Sequence, residues 1–141
     1  MKNYKMLISL ILLLWGMNNI FAQTEITEAD LKAALSSVFD ASVKENYTKA
    51  CSLMLNDELK EKRAFNPSEN SEIKAVKRQC KKIKAYIDLS DSYEYTKYTP
   101  TEIDGLNGAV LDVSFKSGDQ KLNIGFTFVK LGGKVLLVGF K

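Results

Sequence analysis

The chain has 141 residues, a formal charge of +3 and no histidine. Without His, triads that need an imidazole base and His-built zinc centres are excluded. The near balance of 20 basic against 17 acidic residues argues against a nucleic-acid binder, and the length allows one domain with one core.

Lys2 and Lys5 open the chain, Met6 to Met17 run almost without a polar atom, and Ala22-Gln23 offers a small residue at a cut. That three-part layout predicts a signal peptide over 1–22, cleaved before Gln23 and leaving a single domain over 23–141. The apolar stretch is shorter than the roughly twenty residues that span a bilayer, so no membrane span is expected in the mature form. The expected location is periplasmic or secreted. Loss of the signal removes Lys2 and Lys5 and no acid, which brings the charge to +1.

In the first half the predicted elements are helical. Thr27-Glu28-Ala29-Asp30 supplies a cap and first-turn acids, and Leu31, Leu35, Val38, Phe39 and Ser42/Val43 form a stripe, so a helix is predicted over 27–45. Asn46 stops it or caps the next. Tyr47, Ala50, Cys51, Met54, Leu55 and Leu59 predict a second helix over 47–62, followed by a loop at Asn66–Asn70. Ile73, Val76, Cys80, Ile83 and Ile87 fit a helical stripe that Ser71 could cap, while Ile83, Ala85, Ile87 and Leu89 alternate as a strand would. The expectation is a helix over 71–81 that gives way to a strand near Ile83.

The second half reads as β. Tyr93, Tyr95 and Thr96 to Tyr98 favour a strand, and Pro100, Asp104-Gly105 and Asn107-Gly108 are expected to break it. Ala109, Leu111, Val113 and Phe115 alternate with Val110, Asp112, Ser114 and Lys116, and Leu122, Ile124, Phe126 and Phe128 alternate again after the turn Ser117–Gln120. Gly132-Gly133 suits a tight hairpin before the apolar run Val135–Phe140. Short turns require antiparallel neighbours. The fold class is therefore α+β, with N-terminal helices packed on a curved antiparallel sheet of about four strands.

Chemistry-bearing residues are few. Tyr86, Tyr93, Tyr95 and Tyr98 cluster with Asp88 and Asp91, which would suit a polar pocket for a small ligand; equally, aromatic residues simply pack across strands. Asp112 interrupts an apolar strand, so it is either a candidate base on a cavity wall or the polar half of an alternation. Lys74, Lys77, Arg78, Lys81, Lys82 and Lys84 form either an electrostatic patch or the wet side of a helix. Cys51 and Cys80 would form one disulfide after export, with buried free thiols as the alternative. Such a bond would stabilise the domain by about 3–4 kcal/mol. The motifs that hold metals or cradle phosphates do not occur, so no cofactor or metal is expected and no residue is assigned as catalytic.

Lys44-Glu45-Asn46-Tyr47 followed by Ala50-Cys51, and the closing Phe126–Val135 segment, resemble the turn between the first two helices and the closing hairpin of small secreted bacterial NTF2-like (cystatin-like) domains. Asn46 stands where that family usually has Asp, and Val135 where it usually has Trp. The resemblance implies a sheet curved around a helix to leave a cone-shaped pocket, used in some members for isomerase or dehydratase chemistry and in many for binding. The functions to be weighed are an exported non-enzymatic module holding a small molecule or protein in a pocket or on a sheet face, an immunity or inhibitor protein against a toxin or hydrolase, and an isomerase-like enzyme using Asp112 or Asp88 with a Tyr. The candidate ligand-binding residues are Tyr86, Tyr93, Tyr95 and Asp112.

Overall fold

A computed structural model describes residues 25–141. The expected signal peptide and its cleavage before Gln23 lie outside the described residues. Among the described residues three helices and a small two-stranded pairing precede a four-stranded sheet: α1 (Glu28–Val43), α2 (Tyr47–Cys51), β1 (Leu55–Asn56), β2 (Arg63–Ala64), α3 (Asn70–Asp88), β3 (Ser92–Ile103), β4 (Leu106–Ser117), β5 (Gln120–Leu131) and β6 (Lys134–Phe140). The last four strands form an antiparallel meander in the order β3-β4-β5-β6. This is the expected α+β class, with helices before the sheet and packed on it.

Local chemistry accounts for the first helix. Thr27 accepts from the Asp30 amide at 3.1 Å while the Asp30 carboxylate accepts from the Thr27 amide at 3.3 Å, a reciprocal cap on two of the orphan donors at the helix start. The stripe Leu31, Leu35, Val38 and Phe39 is buried as its spacing requires. Helix α1 ends at Val43, and Glu45 takes a positive φ of 55° that turns the chain into α2.

Three boundaries differ from expectation, each because tertiary pairing overrides local pattern. The helix expected over 47–62 stops at Cys51. The Leu53 carbonyl instead accepts from the Leu137 amide at 2.9 Å and Met54 pairs alongside Leu137, so this segment covers part of the β6 edge. The chain then reverses through residues 57–62, charged except for Leu59, and β2 pairs back on β1. Helix α3 runs from Asn70 to Asp88 rather than ending at 81, because Val76, Cys80 and Ile83 keep one stripe in the core. The Ile83–Leu89 alternation therefore marks helix, and β3 begins only at Ser92. Ser71 lies inside α3 and does not cap it; Glu69 holds the cap position without a side-chain bond.

Strand β3 also continues through Pro100 to Ile103. Pro100 pairs with Ala109, and a proline is tolerated there because β3 is an edge strand whose outer side needs no donor. Asp104-Gly105 is the turn, whereas Asn107-Gly108 belongs to β4. The hairpin at Gly132-Gly133 has φ values of 56° and 77°, the left-handed pair that a two-residue turn demands. Register shifts between Tyr95 and Lys97 and opposite Thr127/Phe128 place a bulge in β3 and another in β6, which bend and twist the strands.

The main core lies between the helices and one face of the sheet. Ala109, Leu111, Val113 and Phe115 of β4 and Ile124, Phe126 and Phe128 of β5 meet Leu31, Leu35, Val38, Phe39, Val76 and Ile83. A smaller cluster of Leu55, Val129 and Leu136 sits beneath β1 and β2.

Cys51 and Cys80 are both buried in the main core, as residues on apolar stripes should be, but they are two free thiols and not the expected disulfide. Each packs as a small apolar side chain, and the neighbouring Ser42 donates its hydroxyl to the Val38 carbonyl at 2.7 Å. Burial, first of all, pushes both thiols above their ordinary range.

Candidate functional site

The space between α1 and the sheet, where the resemblance implies a cone-shaped pocket, is occupied by aromatic rings. Phe39 meets Tyr93 at 5.2 Å and Phe126 at 5.4 Å, both edge-on, and Phe126 stacks on Phe140 at 5.4 Å. Tyr86 lies 5.6 Å from Phe115, and Tyr93 lies 6.1 Å from Tyr95. Such contacts are the ordinary packing of helix aromatics on strand aromatics in a core. Of the candidate ligand residues, Tyr86, Tyr93 and Tyr95 thus stand on the helix side of the sheet, as part of or at the rim of the core. Burial, then the neighbouring Tyr93, raises the Tyr95 phenol above its usual value. Tyr98 donates to the Ile26 carbonyl and fastens the segment before α1 to β3.

Asp112 faces the other way. It pairs with Lys97 on β3 and with Gly125 on β5, between the inward Leu111 and Val113. The outer face of the sheet forms an open trough of about 630 Å³ there, lined among others by Lys97, Asp112, Asn123, Gly125, Thr127 and Lys141. The trough is built by strand period: these residues share one face because side chains alternate. Gly125 gives Asp112 its room, since a Cβ at that position would lie 3.0 Å from Asp112 Oδ1 and 3.2 Å from Val110. The Thr96 hydroxyl in the β3 bulge donates to the Asp112 carbonyl at 3.2 Å, and Lys116 pairs with Glu94 at 2.7 Å beside it.

Asp88 ends α3 in an ion pair with Lys84, one turn before it. The structure therefore does not bring the candidate acids and phenols together. Asp112 is on the outer face, the tyrosines are on the inner side, and Asp88 belongs to the helical layer. No acid–phenol pair of the kind an isomerase would use is assembled from these residues, because geometry comes before pKa in such chemistry.

Two further surfaces escaped the sequence pattern. A groove of about 700 Å³ runs between α3 and the β6 edge, with Asn56, Glu72, Arg78, Lys82 and Phe140 among its walls. At its head Glu72 accepts both guanidinium nitrogens of Arg63, at 2.7 and 3.0 Å, and the Asn66 amide at 2.6 Å. The Arg63 pair, followed by the Asn66 amide, holds the Glu72 carboxyl down to about 2. This fork fixes the β1–β2 segment to α3, and no local sequence signal joins residues 63 and 72. The second surface is a shallow apolar hollow of about 360 Å³ lined by Tyr86, Leu89, Phe115 and Leu122, in which Leu89 is 77% exposed.

Fold and surfaces together define an α+β domain whose sheet is covered by helices on one side and left open, with a polar trough, on the other. No protein-family model matches the chain. No curated protein matches it either. Among solved structures the chain is similar to a substituted variant of the designed NTF2-like protein Rd1NTF2_05, at 14% identity and a TM-score of 0.47, over 82% of this chain and 98% of that one. Among the described residues no helix is long and apolar enough to cross a membrane.

Proposed function

We propose that this protein is an exported, non-enzymatic binding module that holds its partner on the open face of the sheet around Asp112. The observation that carries the reading is the division of the two faces. Ring packing fills the helix side, and the opposite face presents an uncovered trough in which Asp112, Asn123 and Thr127 offer polar groups between Lys97 and Lys141. A mixed acceptor–donor surface of this kind suits polar recognition of a protein partner or a small hydrophilic molecule. In this reading Tyr86, Tyr93 and Tyr95 pack against the rings of the helix side and do not face the trough. Export rests on the basic and apolar layout of residues 1–22.

The test compares what native and Asp112→Arg protein, each recovered from its own exported fraction, retain from envelope extract. A species held by the native protein and lost in Asp112→Arg supports the reading, provided Phe126→Leu, which alters only the interior, retains it. Equal retention by native and Asp112→Arg protein, or a mature chain that does not begin at Gln23, refutes the corresponding part.

A further inference from the structure

The basic run of α3 divides by function once its neighbours are known. Lys77 lies over the Tyr47 ring at 5.4 Å and Lys84 pairs with Asp88, so these two have partners within the fold. Arg78 and Lys82, one helical turn apart, instead wall the groove beside β6 and make no ion pair among the described residues. Glu72 in the same groove is already occupied by Arg63, and the remaining acids, Asp57 and Glu58, belong to the β1–β2 side. The groove is therefore basic toward the middle of α3 and acidic toward the loop.

Its floor is a strand edge. The first part of the β6 edge is taken by the chain itself, where Leu137 donates to the Leu53 carbonyl. Beyond it, Lys141 exchanges both backbone bonds with Gly125 of β5. In an antiparallel pair bonding direction alternates along the strand, so the N–H and C=O of Phe140 turn away from β5 toward the groove. Across from them α3 presents the small residues Ser71 and Ala75, which leave room for another backbone.

We propose that this groove takes an acidic, extended peptide segment of a partner protein, which prolongs the strand addition begun by Leu53–Leu55 and places its carboxylates against Arg78 and Lys82. Main-chain bonding at Phe140 supplies alignment, and the paired cations supply selection for acidic side chains. The site is separate from the trough around Asp112 and does not depend on it.

The probes are two blocked hexapeptides of alternating sequence, one Val-Glu and one Val-Lys, titrated into the purified exported protein with amide exchange and chemical shifts as readouts. The Val-Glu peptide should protect the Phe140 amide and shift resonances along residues 71–82, binding at least about tenfold more tightly than Val-Lys. Arg78→Glu with Lys82→Glu should reverse that preference, Ala75→Trp should block both peptides with the charges intact, and Asp112→Arg should change nothing. Failure of millimolar Val-Glu peptide to protect Phe140, equal binding of the two peptides, or undiminished binding by folded Ala75→Trp protein would overturn the proposal.

Discussion

Phe126→Ala probes whether the interior is packed or poised to receive a ligand. Phe126 is fully buried, stacked on Phe140 at 5.4 Å and set edge-on against Phe39 at the same distance. Truncating a core phenylalanine costs about 3–5 kcal/mol, combining lost transfer energy with the void left behind. The two close ring contacts, each worth about 0.5–1.5 kcal/mol, place this site in the upper half of that range. Against a typical domain stability of about 5–15 kcal/mol, the variant should remain folded but lose much of its margin. With a urea dependence of about 2 kcal/mol per molar, its unfolding midpoint should fall by about 2 M with an unchanged slope. Phe126→Leu should fall between native and Ala. A new apolar void should also bind benzene, which would restore part of the lost stability. A midpoint shift below about 0.5 M would mean that the ring already borders open space, and the filled-interior argument would fail.

Three other outcomes follow from the same geometry. Gly108→Ala should destabilise by about 1–3 kcal/mol in thermal melts, because the added Cβ would lie 2.7 Å from the Phe128 backbone oxygen, which cannot swing aside; an unchanged melting temperature would contradict the register of β4 and β5. The Glu72 carboxyl is held at about 2, below an unfolded value of about 4.3, so its stabilising effect is fully present above the unfolded value and is lost as pH falls through 2. Native protein should therefore lose stability between about pH 5 and pH 2 more steeply than Glu72→Gln, and parallel acid profiles would refute the Arg63–Glu72 fork. Burial raises both thiols, so Cys51 and Cys80 should resist alkylation at pH 8 in the native protein and both react after denaturation; rapid native labelling, or none after denaturation without reductant, would refute two buried free thiols.

Much of this fold is legible in the sequence because its strongest signals are local and periodic. The Leu31–Phe39 stripe, the reciprocal cap at Thr27 and Asp30, and the alternation of β4 and β5 each state their own geometry. What misleads is the segment whose fate depends on a distant strand. Met54 and Leu55 continue a helical stripe on paper, yet the edge of β6 offers them backbone pairing. Ile83 and Ile87 satisfy both periods, and only packing of α3 against the core decides between them. The site shows the same division. Alternation places Asp112 opposite Leu111 and Val113, but which face is covered by helices is a tertiary fact. The tyrosines share a short stretch of sequence, yet Tyr86 belongs to α3 and Tyr93 and Tyr95 to β3, and only the packing of helix on sheet shows that their rings lie on the core side, away from Asp112. Arg63 and Glu72 carry no pattern that announces their pairing.

The most direct measurement places a photoactivatable crosslinker at Asn123, on the open face beside Asp112, and in a second protein at Ser36, exposed on α1. Both proteins are exported from cells and irradiated in the intact envelope. Binding through the sheet face predicts a discrete adduct from position 123 that disappears with Asp112→Arg, and none of that mass from position 36. The same adduct from position 36, or an adduct at 123 that persists with Asp112→Arg, would contradict it.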